Sequence, residues 1–195
     1  METWNKTALK LLDAAEQMIK VRGFNAFSFR DLQQEVGVKT STIHYYFSTK
    51  TDLADAAVAK FFDQHKLALH TLDQEQPSTI KRLLSVADFF VANAKKGEFC
   101  LGGMLTSDLR ALDNRTSARL GEFFQHFHQW LEDTLIQGID NGEISPGIDP
   151  AKFSRVFIAS LEGGMLISRV SQDDGYYQSL LSNLIEQLNN EGVQK

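Results

Sequence analysis

The stretch Ser28–Lys50, SFRDLQQEVGVKTSTIHYYFSTK, decides the fold. Ser28 followed three positions later by Asp31 has the form of a capping box, in which a hydroxyl and a carboxylate satisfy the free amides that open a helix. A short helix follows, with Leu32 and Val36 facing inward, and Gly37 stops it. Val38 and Lys39 make the turn, and a second helix runs from about Thr40 to Phe47. At about 100° per residue, Ile43 and Phe47 point together into a core, while Ser41 and Tyr45 project the other way, flanked by Thr42 and His44. Two short helices joined by a tight glycine turn form the helix-turn-helix pattern, whose second helix enters the major groove of DNA.

The chemistry of the outward face agrees. Its hydroxyls donate and accept, as base edges require, and threonine methyls can touch thymine methyls. Lys39 and Lys50 bracket the second helix, and no carboxylate lies between Glu35 and Asp52 to repel phosphate. Tyr46, at the boundary of the buried face, can send its hydroxyl to a phosphate. The charge of the whole chain is −5, but the first 50 residues carry seven basic against five acidic groups. A slightly basic head on an acidic body suits a local anionic partner and discourages indiscriminate sticking.

Working outward, Leu11, Leu12, Ala15, Met18 and Ile19 recur at helical spacing, and Gly23 follows Lys20 and Arg22 as a stop, so a first helix spans Trp4 to Arg22. Beyond Asp52 the pattern predicts helices near 52–73, 79–96, 101–112, 115–141, 150–171 and 175–190. The breaks fall at Pro77, Gly97, Asn114, Asn141–Gly147 and Asp173–Gly175, and Glu191 to Lys195 should fray. The fold class is therefore all-α. The hydrophobic fraction of 43% and charged fraction of 23% are those of a globular chain, and 195 residues suffice for a substantial core. No apolar run is long enough to span a bilayer, the N-terminus lacks the apolar core of a signal peptide, and Cys100 is the one cysteine. These features predict a cytoplasmic protein without disulfides or membrane contact.

Residues 11–57 resemble the DNA-binding domain of the tetracycline-repressor (TetR) family of bacterial transcriptional regulators. The landmarks are Leu12-Asp-Ala-Ala15, Arg22-Gly-Phe24, Ser28, Leu32, Val36-Gly-Val38, Thr42-Ile43, Tyr46-Phe47 and Lys50 followed by Leu53. The resemblance implies an N-terminal three-helix helix-turn-helix DNA-binding domain, residues 1–51, and a C-terminal helical ligand-binding and dimerisation domain, residues 52–195. It further implies a repressor released by a small-molecule effector, with no cofactor. Residues expected at double-stranded DNA are Ser28, Arg30, Lys39, Thr40, Ser41, Thr42, His44, Tyr45, Tyr46 and Lys50. By position in the family pattern, Thr42 and His44 would meet bases or backbone, and Tyr46 and Lys50 phosphates. Two departures stand out: Lys39 replaces a common serine, which puts the usual cap of the recognition helix in question. His44-Tyr45 replaces a common Tyr-His, which implies an altered contact set.

One short recognition helix reaches few base pairs, so a two-fold dimer on an approximately palindromic operator is expected. The family pairs its last two helices. Here Val156, Phe157, Leu161, Gly164, Met165 and Ile167 form one apolar surface, with Gly163-Gly164 allowing close approach, and Leu180, Leu181, Leu184, Ile185 and Leu188 form a second stripe. Filling of a subunit's own core is the competing reading of both stripes. Candidate ligand-pocket residues are Phe90, Cys100, Met104, Phe127, Trp130, Leu161 and Met165, each also compatible with plain core packing. Coupling between body and head is expected through the helix that begins near Asp52.

Cys100, in the segment Gly97–Gly103, opens an alternative: an electrophile- or redox-sensing regulator acting through its thiol. Glu98 beside it disfavours the thiolate, and no second cysteine resolves an oxidised form. A helical protein-interaction module is a further alternative. An enzyme finds no support: there is no phosphate-binding glycine loop or glycine-flanked serine, and His126 and His128, two apart, diverge on a helix, so no metal site is expected.

Overall fold

The computed structural model describes residues 4–171, 173 and 175–188. Among these the regular structure is helical: α1 (Lys6–Arg22), α2 (Phe29–Val36), α3 (Thr40–Tyr46), α4 (Lys50–Glu75), α5 (Thr79–Lys95), α6 (Leu101–Ser107), α7 (Asn114–Asp140), α8 (Pro150–Ser168) and α9 (Tyr176–Glu186), with 3-10 turns at Phe24–Ala26 and Leu109–Ala111. The expected fraying of Glu191 to Lys195, and the last two positions of the expected 175–190 helix, lie outside the described residues.

Capping explains where the helices begin. Asn5 Oδ1 accepts from the Thr7 and Ala8 amides at 3.1 and 3.0 Å, so α1 starts two residues later than the apolar spacing suggests. Thr49 and Asp52 form a reciprocal box at α4, each backbone amide donating to the other's side chain at 3.0 Å. Asp113 Oδ1 accepts from the Thr116 amide at 2.8 Å, which turns the expected break at Asn114 into the first residue of α7. Pro150 stands at the start of α8, where its missing N–H costs nothing, and Asp149 caps the Lys152 amide. The helix expected over 101–112 stops at Ser107. Asp108 leaves helical geometry there, and its carboxylate accepts from the Phe24 amide at 2.9 Å and from Asn25 Nδ2 at 2.7 Å.

These caps have a consequence in acid. Hydrogen bonds hold Asp31 (chiefly from the Ser28 hydroxyl), Asp52 (from Thr49, then Arg115), Asp113 (from Thr116) and Asp149 (from the Lys152 amide) below the ordinary aspartate range. A carboxylate with a depressed folded-state pKa stabilises the fold fully above its unfolded value and loses that contribution as pH falls through the folded value. Melting temperature should therefore be flat near neutrality and drop below about pH 4. The single replacement Asp52→Asn should shrink that acid-side drop. An unchanged profile of melting temperature against pH would dismiss these caps as a source of stability.

The described chain divides into two compact units that do not follow its order. The first comprises residues 1–67 and 98–124; the second comprises 68–97 and 125–195. In the first, Leu11, Leu12, Ala15 and Ile19 of α1 meet Phe24, Phe27, Leu32, Ile43, Phe47, Leu53 and Ala57, and Leu101, Leu105 and Leu120 complete the cluster. Ion pairs bind its margins: Lys60 reaches Glu16 at 2.7 Å and Asp13 at 2.9 Å, and Arg119 Nε reaches Asp55 at 2.9 Å.

In the second unit α8 packs on α9 and α5 on both. Gly164 admits the ring of Tyr177, whose hydroxyl donates to the Leu161 carbonyl at 2.5 Å. Arg82, largely buried, donates to the Gln76 carbonyl at 2.6 Å and to Gln137 Oε1 at 2.9 Å, which ties the end of α4 to α5 and α7. The two apolar stripes expected at a dimer face are split. Phe157, Leu161, Gly164 and Met165 of α8 and Leu181, Ile185 and Leu188 of the last segment are buried within the subunit, Leu180 and Leu184 are half-buried, and Val156 and Ile167 remain exposed, as do Leu166 and Val170 beside them.

Candidate nucleic-acid interface

The site is built from α2, a left-handed turn and α3. Ser28 and Asp31 form the predicted box: the Asp31 amide donates to Ser28 Oγ at 3.4 Å, and the Ser28 amide donates to Asp31 Oδ2 at 2.7 Å. Gly37 ends α2 at φ 74°, and its amide donates to the Gln33 carbonyl at 2.9 Å. That left-handed conformation costs glycine little and would strain a residue with a Cβ. Lys39 occupies the cap position of α3 without a side-chain cap bond, as its replacement of serine implied. The Thr40 hydroxyl donates to Gln33 Oε1 across the turn and so ties the start of α3 to α2.

The faces of α3 divide as the helical wheel requires. Ile43 and Phe47 are 0% and 2% exposed, whereas Ser41, His44 and Tyr45 are exposed, Tyr45 at 81%. Thr42 and Tyr46 are half-buried at the boundary. Tyr45 stands edge-on to Tyr46, ring centroids 5.0 Å apart. The edge-to-face contact of Phe29 with His44, at 5.0 Å, sets the start of α2 beside α3, so that exposed Ser28 and Arg30 flank the same region. The Tyr46 hydroxyl accepts from Asn5 Nδ2 at 2.9 Å, which leaves its own proton available to an external acceptor. Arg30, Lys39, Ser41, His44, Tyr45 and Tyr46 are thus displayed on the α2–α3 region, while the hydroxyls of Ser28 and Thr40 are committed to Asp31 and Gln33.

Lys50 is placed differently. Its ammonium donates to the carbonyls of Phe24 and Phe27 and lies 4.5 and 4.2 Å from the centroids of their rings. Burial lowers its pKa, an effect opposed by Asp108 and Asp31. Two of three N–H donors therefore end on protein carbonyls, and the residue fastens α4 to the α1–α2 turn. Asn5, Thr49 and Asp108, which position this region, escaped the sequence reading. Asn5 and Thr49 stand just before helical periodicity and carry a local cap signal. Asp108 contacts residues more than 80 positions away and carries none.

The candidate pocket residues fall in both units. Cys100 and Met104 belong to the first: Cys100 is 8% exposed just before α6, and Met104 packs on that unit's core. Phe90, Phe127, Leu161 and Met165 are buried in the second, where Trp130 donates its Nε1–H to Asp73 at 3.0 Å. Among the described residues no group of His, Cys, Asp and Glu could hold a metal ion, and no helix is long and apolar enough to cross a membrane.

Comparison with known proteins divides the chain in sequence order instead, the second match running across the 98–124 segment of the first unit. Residues 11–57 match the family of bacterial regulatory proteins, tetR family, and residues 79–184 match the tetracyclin repressor-like C-terminal domain. The fatty acid metabolism regulator protein of Bacillus subtilis is 22% identical over 187 residues, covering 95% of this chain and 94% of that protein. A TetR-family transcriptional regulator from Agrobacterium tumefaciens superposes with a TM-score of 0.87 at 23% identity, covering 93% of this chain and 97% of that one. The regulator FadR from Bacillus subtilis in complex with stearoyl-CoA superposes with a TM-score of 0.70 at 19% identity, covering 92% and 98%.

Proposed function

The chain belongs to the TetR family of bacterial transcriptional regulators, and on that premise we propose that it is a repressor that grips an approximately palindromic operator as a homodimer and is released by a small-molecule effector. The observation that carries the reading is the polarity of α3. Two core anchors, Ile43 and Phe47, hold a helix whose opposite face displays Ser41, His44 and Tyr45 without a carboxylate. Functionally, residues 1–51 form the DNA-binding head and 52–195 the regulatory and pairing body.

Within the head, Ser41, Thr42, His44 and Tyr45 face bases, and Arg30, Lys39 and Tyr46 face phosphates, while Ser28 acts by capping α2. Lys50 acts on binding through the position of α3 rather than by spending its charge on DNA. Two such heads would sit about one helical turn, roughly 34 Å, apart. An apolar stripe of exposed Val156 and Ile167 with half-buried Gly163 on α8, continued by exposed Val170 just past its end, supports pairing of subunits along this helix.

The effector is predominantly apolar and is taken by the second unit, where Phe90, Phe127, Trp130, Leu161 and Met165 supply aromatic and aliphatic surface. A similar protein binds stearoyl-CoA, which makes a long-chain acyl thioester the first compound to test. Met104 packs on the core of the first unit, and Cys100 is buried in that same unit.

Selection of bound duplexes from a random pool tests the assignment. An inverted-repeat sequence should emerge, and log affinity for it should fall linearly with log salt, by about 0.9 for each phosphate neutralised. Salt-insensitive binding with no sequence enriched would instead support a protein-interaction module.

A further inference from the structure

His44 is the residue of the recognition face whose hydrogen-bonding polarity is fixed by the fold itself. Its Nδ1 lies 3.2 Å from the carbonyl oxygen of Ser48. A carbonyl offers lone pairs only, so Nδ1 carries the proton in that bond. A neutral imidazole has a single ring proton, and Nε2 is then left with a lone pair. The ring plane is held from a second side by the edge contact with Phe29, at 5.0 Å and 70°. The side chain is nevertheless exposed, and Nε2 makes no hydrogen bond among the described residues.

Its neighbours on this face differ in kind. The hydroxyls of Ser41, Thr42 and Tyr45 turn to donate or accept as a partner requires, and Lys39 only donates. A fixed acceptor carries information that a rotating hydroxyl does not. In the major groove, adenine N6 and cytosine N4 present amino donors, while guanine and thymine present acceptors at the corresponding positions.

Resting on the DNA-binding reading above, we propose that His44 is a specificity-determining residue whose Nε2 accepts a hydrogen bond from the exocyclic amino group of an adenine or cytosine in each half-site. The bond to Ser48 sets the tautomer, and the Phe29 edge holds the ring, so little side-chain freedom is lost on binding. Guanine or thymine at that position would bring lone pair against lone pair.

The test uses the full-length protein and the operator returned by selection, with binding measured at pH 8, where an imidazole is ordinarily neutral. Each adenine of a half-site is replaced in turn by purine, and each cytosine by pyrimidin-2-one, which removes the amino group alone. Wild-type protein should lose about 2- to 12-fold in affinity at one position through this contact, the range of a neutral hydrogen bond. His44→Phe keeps a ring against Phe29 without Nε2, and His44→Ala removes the ring. In both variants the extra loss at that position should disappear.

Identical loss profiles for wild type and both variants would overturn the assignment, as would a His44-dependent preference for guanine or thymine. Either result leaves the regulator reading standing, because an operator has been selected. Failure to enrich any sequence would remove both.

Discussion

Replacing Phe47 by alanine is expected to cost about 3–5 kcal/mol of stability, the range for emptying a buried aromatic site. The ring is 2% exposed, lies 5.9 Å from that of Trp4, and belongs to the core cluster that joins α1, α3 and α4. Against a total of about 5–15 kcal/mol for a domain, that loss should leave the DNA-reading face poorly formed. Tyr45→Ala, two positions earlier on the same helix, should change stability by no more than about 0.5 kcal/mol, because an 81% exposed side chain has little packing to lose. It should instead change which duplexes are bound. The two tryptophans make the experiment local: Trp4 belongs to the first unit and Trp130 to the second, so in a Trp130→Phe background Trp4 fluorescence reports the head during urea unfolding. Equal destabilisation by the two substitutions would contradict the division of α3 into a core face and a groove face.

The neighbouring glycines of α8 should respond in opposite ways. A methyl at Gly164 would lie 2.6 Å from Cε2 and 2.7 Å from Cδ2 of Tyr177, and 2.9 Å from Cδ2 of Leu180. The Tyr177 ring is buried, and its hydroxyl is bonded to the Leu161 carbonyl, so it cannot swing aside without losing that bond. Overpacking of this kind costs about 1–3 kcal/mol. The helix-propensity gain of about 1 kcal/mol for glycine to alanine offsets only part of it. Gly164→Ala should therefore destabilise the subunit, and Gly164→Val more so.

Gly163 has nothing within 4 Å of a built Cβ, so Gly163→Ala should be neutral or stabilising within a subunit. If subunits pair along the stripe that contains Gly163, the same methyl should weaken dimerisation. Urea unfolding and analytical ultracentrifugation separate the two effects. Destabilisation by Gly163→Ala at concentrations where the chain is monomeric would contradict this account.

Helix positions were readable because apolar residues recur at three and four along nearly every segment, with caps such as Ser28 and Asp31 written beside them. The α2–α3 region was readable for the same reason: Ile43 and Phe47 could be assigned inward from spacing alone. Lys50 was not. A lysine between a recognition helix and a long helix reads as a phosphate contact, and only the fold brings the Phe24 and Phe27 carbonyls around its ammonium. Asp108 was hidden by sequence distance. Gly164 was legible as a site of close approach, but whether Tyr177 of the same subunit or a second subunit fills it is a tertiary fact that periodicity does not contain.

The core beneath the recognition helix is closed by Leu101, Leu105 and Leu120, and Asp108 grips the turn that follows α1. The head is therefore not finished when its own 51 residues have been made. At about 5–20 residues per second, the ribosome needs roughly 4–15 s to travel from Phe47 to Leu120. Throughout that interval α1, which carries α2 and through it α3, lacks its packing on α6. A nascent chain should acquire a firm DNA-reading surface only after more than half of the protein has been synthesised, so an unfinished regulator should not occupy its operator.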